Sequence, residues 1–460
     1  MTPIAGQAVV TAAQMRAAED RAIAAGVSVM ELMERAGTGV AAAVRRLAPG
    51  APVLVLCGPG NNGGDGYVAA RALAAAGHKV RVAALAETAT EAAKAARSGW
   101  GGPVEAMAGA APAPVLVDGL FGTGLSRGLD ATAAKRLCEL VAAARLSIAI
   151  DVPSGIAADD GGVLSAVPSF DVTLALGAVK PAHLLQPAAR NCGAVRLIEI
   201  GVVAESAAHV LARPSLPAPG PDSHKYTRGM VVVVGGAMRG AALLASTAAM
   251  RAGAGYVALL DGGEGGPDAL VHRACADQPL DDERIGALLI GPGLGRDAGA
   301  ADKLDAALAS DRPLIVDGDA LHLLKHRLDT LRTRGAPAIL TPHQGEFVAL
   351  FGKGEGSKLD RARAAAAEAN AVLVYKGPDT VIAAPDGRAR LAGDANDWLS
   401  TAGTGDVLAG AIAATLAAGL EPIEAAAAGV WLHGHAARRL GASFIADDLA
   451  NALTAVRAAL

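Results

Sequence analysis

The stretch VLVLCGPGNNGGDG, Val53 to Gly66, sets an apolar run directly against a glycine-rich loop. Consecutive apolar residues bounded by glycine and proline read as a strand buried on both faces, the habit of a parallel sheet. Ligands bind beyond the carboxyl ends of such strands. Glycines there let the backbone approach a charged group, and a following helix, expected from near Tyr67, offers free amide donors. Gly58, Gly60 and Gly63 satisfy GxGxxG and Glu87 lies near the end of the next strand, taken alone the weak signature of a dinucleotide-binding dehydrogenase. Asn61, Asn62 and Asp65 argue otherwise, because a dinucleotide loop needs no such concentration of amides and carboxylate.

On both sides of this stretch the pattern repeats. Thr11 with Gln14, and Ser28 with Glu31, match capping boxes, so two helices come first. Short β-branched runs then follow at Pro52–Cys57, Lys79–Leu85, Pro114–Val117, Leu146–Ile150, Val172–Leu176 and Val195–Ile200, mostly separated by Ala-rich helical stretches. Strands alternating with helices predict a parallel sheet covered on both faces. From Leu211 to Asp222 the chain reads LARPSLPAPGPD, where four prolines each remove a backbone donor; this is the predicted domain boundary. Strand-like runs resume at Met230–Val234, Tyr256–Leu260, Ala287–Ile290, Leu314–Val316, Ala338–Leu340 and Val372–Tyr375, and a helical tail runs from Glu421. The prediction is two different three-layer α/β domains, residues 1–211 and 222–460, without a repeat of fixed period between them.

A chain of 460 residues agrees with more than one core, since domains hold roughly 100–200 residues each. A hydrophobic fraction of 52% beside 19% charged residues is a globular balance, and a net charge of −4 with scattered Lys and Arg argues against a nucleic-acid partner. Cys57, Cys138, Cys192 and Cys275 form no CxxC pair and have no His at zinc-ligand spacing, which suits a reducing cytoplasm. Every long apolar run is interrupted by Gly, Pro or a charge, so neither a signal peptide nor a membrane span is expected.

Two further strand ends carry polar loops: VDGLFGTGLSRG, Val117–Gly128, and IDVPSG, Ile150–Gly155. Asp118 and Asp151 each follow an apolar strand directly. A carboxylate there is held rigidly enough to act on a ligand, or else it caps a helix or fixes a turn. In NNGGDG, VDGLFGTGL and DVPSG, in that order over roughly the first two hundred residues, the chain resembles the N-terminal epimerase domain of the cofactor-hydrate repair family, a Rossmann-like fold. The resemblance implies that Asn61, Asn62, Gly63, Gly64 and Asp65, with Gly122, Thr123, Gly124, Leu125, Ser126, Arg127 and Gly128, hold a hydrated nicotinamide cofactor. It also implies a potassium ion near Asn62, Asp118 and Ser154, oxygen ligands suited to a hard cation. The substrate's added hydroxyl sits on a carbon bonded to the ring nitrogen, which can expel it. The planar cation then takes water from either face, so one acid/base, expected to be Asp151, suffices.

In the second half TAGTGDVLAG, Thr401–Gly410, puts glycine amides and a carboxylate at the start of an Ala-rich helix, an arrangement suited to a transferring phosphoryl group; a plain helix cap is the bland alternative. No GxxxxGK[ST] occurs. With HKYTRG (His224–Gly229), GPGLG (Gly291–Gly295), VDGDAL (Val316–Leu321), TPHQGEF (Thr341–Phe347) and YKGPDTVI (Tyr375–Ile382), the segment from about Asp222 onward resembles the ribokinase-like fold and, within it, the cofactor-hydrate dehydratase branch. That likeness implies a nucleotide, ADP, on Lys376, Gly377, Pro378, Asp379, Thr380 and Gly405, and the hydrated cofactor on Ala241, Gly293, His343 and Asp406. Asp406 takes the hydroxyl proton, the oxygen attacks the terminal phosphoryl group, and the ring expels phosphate. Magnesium is expected to bridge the phosphates, with Glu346 contributing through water; His343 is either a substrate contact or a buried, hydrogen-bonded histidine.

Three places depart from the family pattern. Gly318 replaces an alanine, His322 stands where asparagine is common, and DANDWLS precedes TAGTGD in place of an N-P-G-M run. The expected activity is repair of NADHX and NADPHX, interconverting the R and S epimers and dehydrating the S form with conversion of ADP to AMP and phosphate, by a cytoplasmic homo-oligomer. Two other readings compete: a vitamin-kinase type of phosphotransferase, and a first half that only binds a nucleotide-like ligand or another protein.

Overall fold

The computed structural model describes residues 1–393 and 396–460, so Asp394 and Ala395 of the DANDWLS run lie outside the described residues. The chain forms two compact units, Met1–Val210 and Leu211–Leu460.

In the first unit, strands β1 (Val53–Cys57), β2 (Val80–Ala84), β3 (Val104–Ala106), β4 (Val115–Gly119), β5 (Leu146–Ile150), β6 (Val172–Leu176) and β7 (Ala194–Ile198) form one sheet in the order β3-β2-β1-β4-β5-β6-β7. Neighbouring strands are parallel throughout. The order reverses at β1, and the register sets Cys57 beside Gly119 and Asp118 beside Ala149. The loops after β1, β4 and β5 therefore emerge side by side, the place where such sheets bind ligands. Alternation along β1 divides the core: Val53, Val55 and Cys57 face one hydrophobic cluster, Leu54 and Leu56 another. The helices are α1 (Ala12–Ala24), α2 (Val29–Leu47), α3 (Asn61–Ala75), α4 (Glu91–Gly99), α5 (Ala131–Ala143) and the short α6 (Ala189–Cys192), and β8 (Ala208–Val210) ends the unit with His209 bridging to Ala8. Thr11 forms a complete capping box with Gln14. Ser28 forms half of one: its hydroxyl accepts from the Glu31 amide, while the Glu31 carboxylate turns to Arg35 at 2.5 Å.

Helix α3 begins at Asn61, not near Tyr67, so NNGGDG is the helix's first turn and a half rather than a loop. Glycine disfavours a helix by about 1 kcal/mol relative to alanine, but here it is required by close approach. A Cβ on Gly63 would lie 1.9 Å from the Gly58 carbonyl oxygen, one on Gly64 2.5 Å from the Met33 methyl, and one on Gly66 3.0 Å from Cys57 Sγ. The steric term outweighs propensity. Gly63→Ala is therefore expected to destabilise the first unit by about 3 kcal/mol rather than stabilise it. Denaturant unfolding followed through the fluorescence of Trp100, the one tryptophan before residue 211, measures this directly.

The second unit contains β9 (Met230–Val234), β10 (Tyr256–Leu260), β11 (Val271–Arg273), β12 (Ile285–Ile290), β13 (Leu314–Val316), β14 (Ala338–Leu340), β15 (Val372–Tyr375), β16 (Thr380–Ala383) and β17 (Ala389–Ala392), in the order β11-β10-β9-β12-β13-β14-β15-β16-β17. Pairing is parallel as far as β15, and β16 and β17 then run antiparallel. Helices α7 (Arg239–Ala252), α8 (Ala298–Ala309), α9 (Gly318–Leu324), α10 (Leu328–Arg332), α11 (Gln344–Phe351), α12 (Lys358–Ala369), α13 (Thr404–Ala417), α14 (Pro422–Leu440) and α15 (Ala446–Ala458) complete it. The main core joins Val231, Val233, Leu289 and Ile315 of the sheet to α7, α13, α14 and α15. Because the central strands are parallel, Gly235, Gly291, Asp317, Thr341 and Lys376, each the residue after a strand, share one edge of the sheet. Gly318 adopts φ +50°, a left-handed backbone that explains glycine where the family pattern has alanine. No helix among the described residues is long and apolar enough to cross a membrane.

Candidate active sites

In the first unit, Asp151 leaves β5 with φ +66°, left-handed and unusual for a residue with a side chain. Its carboxylate is buried. Oδ1 accepts from Lys180 Nζ at 2.5 Å and from the Leu176 amide at 3.3 Å, and Oδ2 accepts from the Thr123 amide at 3.3 Å. Lys180 also donates to the Leu176 carbonyl at 2.7 Å and is 1% exposed. His183 Nδ1 accepts from the Lys180 amide at 3.0 Å, so the proton sits on Nε2, which donates to the Asp151 carbonyl at 2.6 Å. Burial, helped by the neighbouring Lys180, pushes the imidazole down to about 4, and it stays neutral. A Cβ on Gly122 would stand 3.0 Å from Asp151 Oδ2 and 3.1 Å from Asn62 Oδ1, so these groups border one small space. Asn62 is held by a 3.4 Å bond from Nδ2 to the Ile150 carbonyl. Asp65 is buried, and burial, with the charges of Asp151 and Glu19, pushes its carboxyl well above the usual range.

Asp118 is fully buried. Ser154 donates to it twice, from Oγ at 2.8 Å and from its amide at 3.0 Å, and the Leu120 amide adds a turn-type bond at 3.1 Å. The turn-fixing reading holds, and the same carboxylate is also locked against Ser154. Burial pushes its carboxyl up to about 6, and no Lys, Arg or His among the described residues pairs with it. A buried carboxylate without a countercharge, beside Ser154 Oγ, which also reaches the Phe121 carbonyl at 3.3 Å, fits a monovalent cation. Further along this loop Gly124, Ser126 and Arg127 are exposed, while Gly128 passes under Leu164, whose carbonyl a Cβ would strike at 2.2 Å. Sequence reading missed Lys180, His183 and Glu19. For Lys180 and His183 the signal was AVKPAH, a fourth polar loop just beyond an apolar strand; nothing comparable marks Glu19.

In the second unit, Asp406 is the third residue of α13, whose N-cap Gly403 has φ +86°. The turn is pinned from below: Thr404 Oγ1 donates to the Leu399 carbonyl at 2.8 Å, and buried His433 donates from Nε2 to the Thr404 carbonyl at 2.9 Å. Burial pushes the Asp406 carboxyl up to about 7, with Asp317 and Asp319 adding to the shift and Lys376 opposing it. Lys376 pairs with Asp317 at 2.8 Å and lies 3.9 Å from Glu346, and Thr341 Oγ1 donates to Asp317 at 2.6 Å. Burial alone would lower the Lys376 ammonium; Asp317, Glu346 and Asp406 outweigh it and hold it raised. A Cβ on Gly405 would lie 3.6 Å from Lys376 Nζ, so Lys376, Gly405, Asp406 and Asp317 converge. Asp317 was quoted within VDGDAL but given no role from sequence.

The other expected contacts are more spread. Gly377 and Pro378 are exposed, Asp379 is buried and ion-paired with Lys358 at 2.6 Å, and Thr380 opens β16, its hydroxyl donating to the Gly377 carbonyl at 2.9 Å. Ala241 and Gly293 adjoin, since a Cβ on Gly293 would lie 3.0 Å from the Ala241 methyl. His343 is not buried: its side chain is 59% exposed and caps α11, Nδ1 accepting from the amides of Gly345 and Glu346. Glu346 returns the cap by accepting from the His343 amide at 2.8 Å and is itself buried. No cluster of three or more His, Cys, Asp or Glu among the described residues could hold a metal alone. A magnesium ion here would sit on phosphate oxygens with one carboxylate assisting, its common mode, and Glu346 fits that part.

A family model described as NAD(P)H-hydrate dehydratase matches residues 231–457, and one described as YjeF-related protein N-terminus matches residues 29–182. The bifunctional NAD(P)H-hydrate repair enzyme of Salinibacter ruber is 35% identical, covering 98% of this chain and 96% of that protein. Its counterpart in Escherichia coli is 33% identical over 93% of this chain and 89% of that protein. Among solved structures, an ADP/ATP-dependent NAD(P)H-hydrate dehydratase from Bacillus subtilis co-crystallised with ATP and Mg2+ is 31% identical, covering 52% of this chain and 93% of that chain with a TM-score of 0.45. Relatives that match over both halves do not favour the vitamin-kinase alternative, which leaves the first unit unexplained. The chain belongs to the bifunctional NAD(P)H-hydrate repair enzymes, which join an epimerase to a dehydratase.

Proposed function

We propose that residues 1–211 hold the epimerase site around Asp151 and residues 222–460 the ADP-dependent dehydratase site around Asp406, acting on NADHX and NADPHX. The observation that carries this reading is the Asp406 carboxyl, pushed up to about 7 at the mouth of a helix and set beside the Lys376–Asp317 pair. A base poised near working pH is what abstraction of a hydroxyl proton needs. Asp406 takes the proton from the substrate hydroxyl, whose oxygen attacks the β-phosphoryl group of ADP and releases AMP. The ring nitrogen then expels phosphate and a ring proton leaves, restoring the double bond. The water removed from the cofactor is thereby accounted for by the split of ADP into AMP and phosphate. Lys376 and the free amides of α13 stabilise the phosphoryl charge.

In the first site Asp151 protonates the departing hydroxyl and takes a proton from the water that returns on either face. Asn61 to Asp65 and Gly122 to Gly128 hold the substrate. Asn62, Asp118 and Ser154 would hold potassium, whose positive charge would hold the ligand's phosphates; Glu346 would reach magnesium through water, and magnesium would neutralise nucleotide phosphate charge. Four free cysteines suit a cytoplasmic setting, and a homo-oligomer is the commoner state for such enzymes.

The test uses mixed epimers of hydrated NADH with ADP, watching absorbance of the reduced ring return. Complete recovery is expected at pH 8. Because only the ionised carboxyl accepts a proton, kcat/KM for the S epimer should fall roughly tenfold between pH 8 and pH 6. Absence of recovery sinks the assignment, and a flat profile over that range removes Asp406 as the base.

A further inference from the structure

The Lys180 ammonium, at 1% exposure, is among the most deeply buried charged groups of the first unit. Its Nζ has two protein partners, Asp151 Oδ1 at 2.5 Å and the Leu176 carbonyl at 2.7 Å. The neutral His183 grips the same aspartate from the other side, through its backbone carbonyl. The result is an asymmetric carboxylate. Oδ1 is saturated by Lys180 and the Leu176 amide, whereas Oδ2 has one long bond, to the Thr123 amide, and borders the space left by the missing side chain of Gly122 beside Asn62.

We infer that Lys180 is a positioning residue for epimerisation, clamping Asp151 through Oδ1 so that Oδ2 alone meets the substrate hydroxyl. The inference rests on Asp151 being the acid/base of the first site. Lys180 is kept from the ligand: it is 1% exposed and held by Asp151 Oδ1 and the Leu176 carbonyl, whereas Oδ2 and Asn62 border the space at Gly122. A buried cation fixed to one oxygen also restricts rotation of the carboxylate, which otherwise rests on two long amide bonds of 3.3 Å, from Leu176 and Thr123. His183 contributes by holding that backbone conformation.

The experiment uses the full chain, so that the dehydratase serves as an internal control. Lys180→Met is expected to lower epimerase kcat about 100-fold with KM within about threefold, and to leave dehydration of the S epimer unchanged. A purely structural lysine would instead change the melting of the first unit with kcat following the folded fraction. The double variant Asp151→Asn/Lys180→Met removes both charges and leaves neither buried alone, so it keeps the test open even if Lys180→Met does not fold. If Lys180 works only through Asp151, the double variant matches Asp151→Asn in residual epimerisation and in substrate affinity. Epimerase kcat in Lys180→Met within about threefold of the native protein overturns the inference, as does a double variant clearly worse than Asp151→Asn. Activity retained in Asp151→Asn itself would instead remove the acid/base reading on which the inference stands.

Discussion

Protein carrying Asp406→Asn is expected to dehydrate the S epimer about 1,000-fold more slowly while still interconverting the two epimers at the native rate. Asparagine keeps the shape and hydrogen-bonding capacity of the side chain but cannot take the hydroxyl proton. A factor of that size corresponds to about 4 kcal/mol in the barrier, the range of a lost general base. KM should change little, because amides of α13 and Lys376 still meet the phosphates. Misfolding offers no escape: the carboxyl lies among Asp317 and Asp319, and an uncharged group there relieves repulsion. Single-turnover measurement of AMP release together with recovery of the reduced ring decides the matter. Activity within about tenfold of native protein would show that another group takes the proton.

Asp151→Asn has a second large effect of a different shape. Dehydration of the S epimer proceeds normally, but a mixture of epimers stops at about half recovery, because the R form is no longer converted; the loss of epimerase turnover is expected to be about 100- to 1,000-fold. This substitution also leaves Lys180 buried without its counterion, a change that costs about 3–5 kcal/mol. The first unit should therefore melt earlier while the second is unaffected. Activity must be read below that melting point. Complete recovery from mixed epimers by folded Asp151→Asn protein would remove Asp151 from the mechanism.

The sheets were legible because their central strands are buried on both faces and so spell out as unbroken apolar runs, as in VLVLC and MVVVV. The edge strands were not. Val104–Ala106 and Val271–Arg273 are three-residue strands with exposed positions. The start of α3 was misplaced because glycine is read as a helix breaker, whereas here the contacts of Gly63 and Gly64 with other segments demand it. In the sites, residues within distinctive motifs could be singled out, Asp118 and Asp151 at strand ends and Asp406 at a helix start. Lys180 could be marked only as part of a polar loop after a strand, since its importance comes from burial against a carboxylate 29 positions away. His343 shows the converse: its motif left a buried histidine open, and the side chain is instead exposed and caps α11.

The first turn of α3 answers to two masters. Gly63 sits where the substrate is proposed to bind and also where the Gly58 carbonyl leaves no room for a methyl group, whereas the nearby Gly60 has nothing within 4 Å of its missing Cβ. Chance replacement of Gly63 would be weeded out for folding before any question of activity arose, while Gly60 could drift. Over long descent this helix start should behave as a fixed point in an otherwise wandering sequence, held there as much by architecture as by selection for catalysis.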